Sequence, residues 1–133
     1  MEARVAGRGL LVRGWAPQAV ILSHATVGGF VTHCGWNSTL EAITAGLPVV
    51  TWPHFTDQFL NEKMAVEVLG IGVSVGVKEP LAFQAANKEI LVGRDVVEKA
   101  VRDIMGAGEE IPNVRSISDM PTFPFSAYVW MPY

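Results

Sequence analysis

The run Thr32-His33-Cys34-Gly35-Trp36-Asn37-Ser38-Thr39-Leu40-Glu41 gathers an imidazole, a thiol, three hydroxyls, an amide and a carboxylate around one glycine. Gly35 permits a tight turn and a close backbone approach. Asn37 and Ser38 are good N-cap residues, and the free N–H groups of a helix's first turn favour an anion. From Trp15 to Gln58 there is no Lys or Arg. A phosphate bound here would therefore be held by helix N–H groups, hydroxyls and His33, without a cationic side chain. Taken alone, Ser38-x-x-Glu41 reads more simply as a capping box, worth about 1 kcal/mol to its helix.

Two further loops carry polar groups of the right kind. Pro53-His54-Phe55-Thr56-Asp57-Gln58 again passes from a strand end into a helix, so Asp57 and Gln58 would offer hydrogen-bonding groups to sugar hydroxyls. The plainer reading makes Asp57 an N-cap and Gln58 an exposed helix residue, and locally the two are equally good. Trp15, ahead of Ala16-Pro17-Gln18, offers an indole for stacking on a flat base, and Gln18 a paired donor and acceptor. Trp52 lies inside a strand and reads as packing. His24 sits among apolar residues as a structural hydrogen-bonder, and His54 could merely rim the crevice. Other chemistries fail: there is no Gly-x-Ser-x-Gly elbow, no partner spaced to pair Cys34 in a metal or redox site, and no Walker loop or Gly-x-Gly-x-x-Gly fingerprint.

The elements that must position these loops follow from periodicity. Leu10-Leu11-Val12, Gly29–Thr32, Pro48–Trp52 and Ile71–Val77 read as short, near-continuous apolar strands. One helical turn over Val20–Leu22 precedes helices over Asn37–Ala45, with Leu40, Ile43 and Thr44 on one face, and over Asp57–Leu69, with Phe59, Leu60, Met64, Val66 and Leu69 near the helical period. Gly46 and Gly70 close these two. A polar stretch around Gln84–Lys88 leads to a last helix from about Arg94 to Met105. Alternating strand and helix with unbroken apolar strands predicts an α/β fold, a parallel sheet covered on both faces. Ligands of such sheets sit at the carboxyl ends of the strands.

The chain has 133 residues, enough for one domain; 50% are hydrophobic and 17% charged, which excludes a disordered chain. A net charge of −3 gives no broad attraction for nucleic acid or anionic membrane. The single Cys34 excludes an internal disulfide and fits a reducing compartment. No apolar run reaches membrane-spanning length, and the opening Met-Glu-Ala-Arg-Val-Ala-Gly-Arg lacks the order of a secretory signal. A cytoplasmic protein is expected. Pro112, Pro121, Pro124 and Pro132 crowd the last residues, so 107–133 reads as a divergent Pro-rich, aromatic tail after a domain over 1–106.

From Trp15 to Gln58 the 44 residues WAPQAVILSHATVGGFVTHCGWNSTLEAITAGLPVVTWPHFTDQ resemble, without a gap, the signature of plant secondary-product UDP-glycosyltransferases. The likeness continues back to about Glu2 and forward to about Glu110, and it outweighs the plainer local readings. It implies a partial Rossmann-like, doubly wound parallel sheet, the C-terminal domain of a GT-B fold, binding a UDP-sugar, with UDP-glucose the expected donor and no metal or other cofactor. Trp15 would stack on uracil with Gln18 and the Ala16 backbone near it, and Glu41 would hold the ribose. His33, Asn37 and Ser38, at the Gly35 turn, would hold the diphosphate. Trp36 would touch the sugar region, and Asp57 with Gln58 would grip the sugar hydroxyls. The implied reaction is inverting glycosylation of a small hydroxylated plant metabolite, a flavonoid or phenolic. In the family a His and Asp of the N-terminal domain serve as base; neither is in this chain, so no catalytic residue is assigned and the isolated chain is expected to be inactive. The competing readings are a non-catalytic donor-binding or interaction fragment that pairs with a full-length enzyme, and an unstable truncated gene product.

Overall fold

A computed structural model describes residues 6–80 and 92–107. Among these residues three short strands form, β1 (Phe30–Thr32), β2 (Val49–Thr51) and β3 (Gly72–Ser74), the first two where β-branched or aromatic runs follow Gly29 and Pro48. They pair in parallel in the order β1-β2-β3, with Thr32 opposite Thr51 and Thr51 opposite Ser74. The crossovers are helical. After the short α1 (Gln18–Leu22), α2 (Trp36–Ala45) joins β1 to β2, and α3 (Gln58–Lys63), extended by a wider turn over Met64–Val68, joins β2 to β3. The last described helix, α4 (Arg94–Arg102), continues into a wide turn over Asp103–Ala107.

Neighbouring residues of β2 face opposite ways, and each face has its own core. Val49 packs with Ala42 of α2, Ala65 and Ile71; Val50 packs with Val75, Val77 and Ala100 of α4. A central strand buried on both faces must be apolar without a break, as Val49-Val50 is. Gly46 ends α2 in the left-handed conformation at φ 66°, with its N–H on the Ile43 carbonyl and that of Leu47 on Ala42. That satisfies carbonyls the helix would otherwise leave open.

Three expectations change. Leu10–Val12 pairs with no described strand, and Leu10 is 89% exposed; an apolar run becomes a strand only beside a hydrogen-bonding neighbour. On α3 the inward face is Gln58, Asn61 and Ala65, whereas Leu60 is 70% exposed. Bonds from Leu69 N–H to the Met64 carbonyl and from Ile71 N–H to the Ala65 carbonyl widen the turn and rotate the later residues away from a 3.6-residue stripe. On α2, Thr39 and Ala42 are buried, and Thr44 is exposed and returns its hydroxyl to the Leu40 carbonyl. The Gln84–Lys88 stretch and the tail from residue 108 lie outside the described residues.

Gly72 sits where α3 crosses the sheet. A Cβ there would lie 3.1 Å from Val49 Cγ2 and 3.2 Å from Val66 Cγ2, with no room for a branch. Gly72→Val is expected to lower the unfolding free energy by about 1–3 kcal/mol, read as a lower urea midpoint at unchanged slope.

Candidate functional site

The parallel pairing brings the carboxyl ends of β1 and β2 side by side. From β1 the chain enters α2 through Cys34, whose φ of 66° is left-handed and unusual for a side-chain-bearing residue. Its conformation is fixed from both sides: its N–H donates to Thr32 Oγ1 (3.1 Å), and its carbonyl accepts from Asn61 Nδ2 (2.9 Å). The thiol is 1% exposed. Burial pushes its pKa up to about 12, with the Trp52 backbone lowering it in part and the Glu62 carboxylate raising it further. Cys34 is therefore a packed hinge of the turn, with no nucleophilic character at neutral pH.

Gly35, with extended ψ of 143°, is the N-cap of α2, and no side chain caps the helix. The first intrahelical bond runs from Thr39 N–H to the Gly35 carbonyl (2.9 Å). The N–H groups of Trp36, Asn37 and Ser38 come before it, in the anion-favouring first turn. Because the helix starts at Trp36, Ser38 falls two residues inside it and the expected capping box does not form. Ser38 Oγ and Glu41 Oε2 instead accept from Gln18 Nε2, at 3.2 and 2.6 Å. The exposed His33 ring lies over Gly35 so closely that a Cβ at that position would overlap Nε2.

At the end of β2, Gln58 turns inward and is buried, its Oε1 accepting from the N–H groups of His54 (2.8 Å) and Phe55 (3.2 Å). It shapes the loop, in contrast to the exposed position of the plainer reading. Asp57 stays exposed; Oδ1 accepts from Thr56 Oγ1 (2.9 Å) and Oδ2 from Asn61 Nδ2 (3.2 Å). Asp57 occupies the N-cap position of α3 without capping it.

Trp15 stands 86% exposed, followed by half-buried Ala16 and by Gln18 at the start of α1. Trp36 and Asn37 are exposed on the first turn of α2. Gln18 thus ties the Trp15 loop to α2, and Asn61 ties the β1–α2 turn to Asp57. Two direct bridges make the three loops one unit. His24 lies apart, with Nδ1 2.8 Å from Thr26 Oγ1. Among the described residues no three His, Cys, Asp or Glu side chains cluster as for a metal, and no helix is long and apolar enough to cross a membrane.

Sequence reasoning missed Asn61 and its neighbour Glu62. Glu62 Oε2 accepts from Thr51 Oγ1 (2.6 Å) and Ser74 Oγ (3.1 Å), fastening α3 to the ends of β2 and β3. The signal was present: Gln58, Asn61 and Ala65 share one helical face, and polar residues on a buried face need partners.

Residues 3–102 match the family model of UDP-glucoronosyl and UDP-glucosyl transferases. UDP-glycosyltransferase 73C13 of Barbarea vulgaris is 56% identical over 115 residues, covering 86% of this chain and 23% of the relative. UDP-glycosyltransferase 73E1 of Stevia rebaudiana is 57% identical over 110 residues, covering 82% and 22%. Among solved structures, Glycyrrhiza uralensis UGT73P12, complexed with glycyrrhetinic acid 3-O-monoglucuronide, superposes with a TM-score of 0.75 at 44% identity, over 87% of this chain and 24% of that one. Medicago truncatula UGT71G1, complexed with UDP-glucose, gives 0.65 at 34% identity, over 80% and 22%. The chain spans about a quarter of the length of these relatives, and the fold is accordingly part of a GT-B, Rossmann-like α/β domain.

The buried thiol gives a direct check of the turn. Cys34 is expected to resist iodoacetamide at pH 8 in the folded chain and to react promptly in urea, as followed by mass spectrometry. Its raised pKa also stabilises the fold fully below the ordinary thiol value of 9.0, and this contribution is lost as pH rises toward 12. Denaturation curves of Cys34→Ala should therefore show a shallower alkaline decline than those of the unmutated chain.

Proposed function

Because the chain belongs to the UDP-glucoronosyl and UDP-glucosyl transferase family, we propose that its three joined loops form the donor site of a plant inverting glycosyltransferase, with UDP-glucose as the donor. The observation that carries this reading is the Gln18 bridge to Ser38 and Glu41. It ties the helix that follows the exposed Trp15 to Ser38 and Glu41 of α2, whose start carries no side-chain cap. Trp15 stacks on the uracil face. Glu41, steadied by Gln18 through one oxygen, accepts from the ribose hydroxyls. The first-turn N–H groups of α2, with the Asn37 and Ser38 side chains and His33, receive the diphosphate. Trp36 contacts the sugar region. Asp57 accepts from hexose hydroxyls, and Gln58 holds the loop that presents it.

The residues supplying this site bind and orient a donor. Deprotonating an acceptor hydroxyl requires a base within hydrogen-bond reach of it. We assign that base and the acceptor pocket to the remaining three quarters of a protein as long as the relatives, and the acceptor to small hydroxylated plant metabolites.

Binding is the test. UDP at a hundred times its dissociation constant stabilises a folded chain by about 2.7 kcal/mol, raising the midpoint by roughly 10 °C. Trp15→Ala is expected to weaken UDP binding by about tenfold or more, as loss of base stacking does. A melting temperature indifferent to millimolar UDP would remove the donor-site reading. Phenolic glucoside formed by the purified chain alone would remove the assignment of the base to another part of the protein.

A further inference from the structure

We propose that Asn61 is a positioning residue that couples the diphosphate end of the site to its sugar end, so that preference for a hexose-bearing nucleotide over the bare nucleotide runs through its side-chain amide. The inference rests on the donor-site reading above and adds to it a residue outside the three loops.

Asn61 is buried on the inward face of α3. Its Nδ2 carries two hydrogens and makes two bonds, one to the Cys34 carbonyl (2.9 Å) in the β1–α2 turn and one to Asp57 Oδ2 (3.2 Å) at the start of α3. The first bond acts on the peptide between Cys34 and Gly35. That unit is planar and trans, so drawing its carbonyl toward Asn61 points the Gly35 N–H the opposite way, ahead of the first turn of α2. The same bond holds Cys34 in its left-handed conformation, which without such support costs about 1–3 kcal/mol. The second bond, with the Thr56 hydroxyl on the other oxygen, fixes the plane of the Asp57 carboxylate while leaving lone pairs for further donors. One amide therefore bears both on the Gly35 N–H at the N-cap of α2 and on the orientation of the carboxylate assigned to hexose hydroxyls.

The test compares UDP and UDP-glucose binding by calorimetry on the full chain, in the unmutated form, Asn61→Ala, Asp57→Ala and the double variant. Asn61→Ala is expected to weaken UDP a few-fold and UDP-glucose by about tenfold more than UDP. In the Asp57→Ala background the same substitution should no longer change the ratio of the two affinities. Equal losses for both nucleotides, or a ratio that still changes without Asp57, would overturn the coupling while leaving the donor site intact. Failure of the unmutated chain to bind either nucleotide would overturn the donor-site reading and the coupling with it. Should Asn61→Ala not fold, the unmutated chain decides. The Asn61 side-chain amide resonances should move further on saturation with UDP-glucose than with UDP, and equal movement would count against the coupling.

Discussion

The parallel, in-register pairing of Phe30–Thr32 with Val49–Thr51 is the constraint on which the rest of the molecule depends. Parallel strands need crossovers, and a helical crossover leaves each strand by a turn at the same edge of the sheet. His33, Gly35, Trp36, Asn37, Asp57 and Gln58 sit in such turns or at the helix starts that follow them. The apolar core does the holding, with Val49 and Val50 buried on opposite faces of the middle strand. What it cannot do is orient the loops, since dispersion and hydrophobic burial have no direction. Orientation comes from a few polar side chains reaching between elements: Gln18 from α1 to α2, Asn61 from α3 to the β1–α2 turn, Glu62 from α3 to the strand ends.

The electrostatics of the edge follow from the same economy. No Lys or Arg lies between Trp15 and Gln58, so this stretch itself offers an anion backbone N–H groups and polar side chains in place of a cation. Peptide dipoles are fixed by the fold and need no reorganisation on binding, whereas a lysine must surrender rotamer freedom and hydration. The carboxylates of Glu41 and Asp57 are compatible with such a site because each is engaged by an amide, and each retains acceptor capacity suited to hydroxyl groups. Hydroxyl-rich and anionic portions of one ligand can then be sorted by position along the crevice.

Much of this was legible in the residues. The alternation of apolar runs with helical spacing identifies the parallel α/β layers, Gly46 and Gly70 mark the helix ends, and the gapless run from Trp15 to Gln58 identifies the family. Other features were hidden for physical reasons. Leu10–Val12 has the composition of a strand, but pairing belongs to a neighbour and cannot be read from the run itself. Leu60 fits a helical stripe that the widened turn after Lys63 breaks. Ser38 and Glu41 have capping-box spacing, yet where a helix begins decides which residue caps it, and Gly35 moved that start one residue ahead of Asn37. Asn61 shares a helical face with Gln58 and Ala65, a pattern the residues do carry, but its partners and those of Glu62 are set by the packing of α3 on the strand ends.

Among the described residues, Cys34 and Thr56 are the two with side chains that adopt positive φ, one in the β1–α2 turn and one in the β2–α3 turn. Glycine would adopt that conformation freely, so the strain serves something a glycine would forfeit. At position 34 it is a buried sulfur filling the space beneath the turn; at position 56 it is a hydroxyl on Asp57. Both turns are therefore held in conformations that unfolded chains disfavour, and both are stabilised by Asn61, directly at Cys34 and through Asp57 at the other. The Asn61 amide thus links the two turns, bonding to the Cys34 carbonyl in one and to Asp57, beside Thr56, in the other.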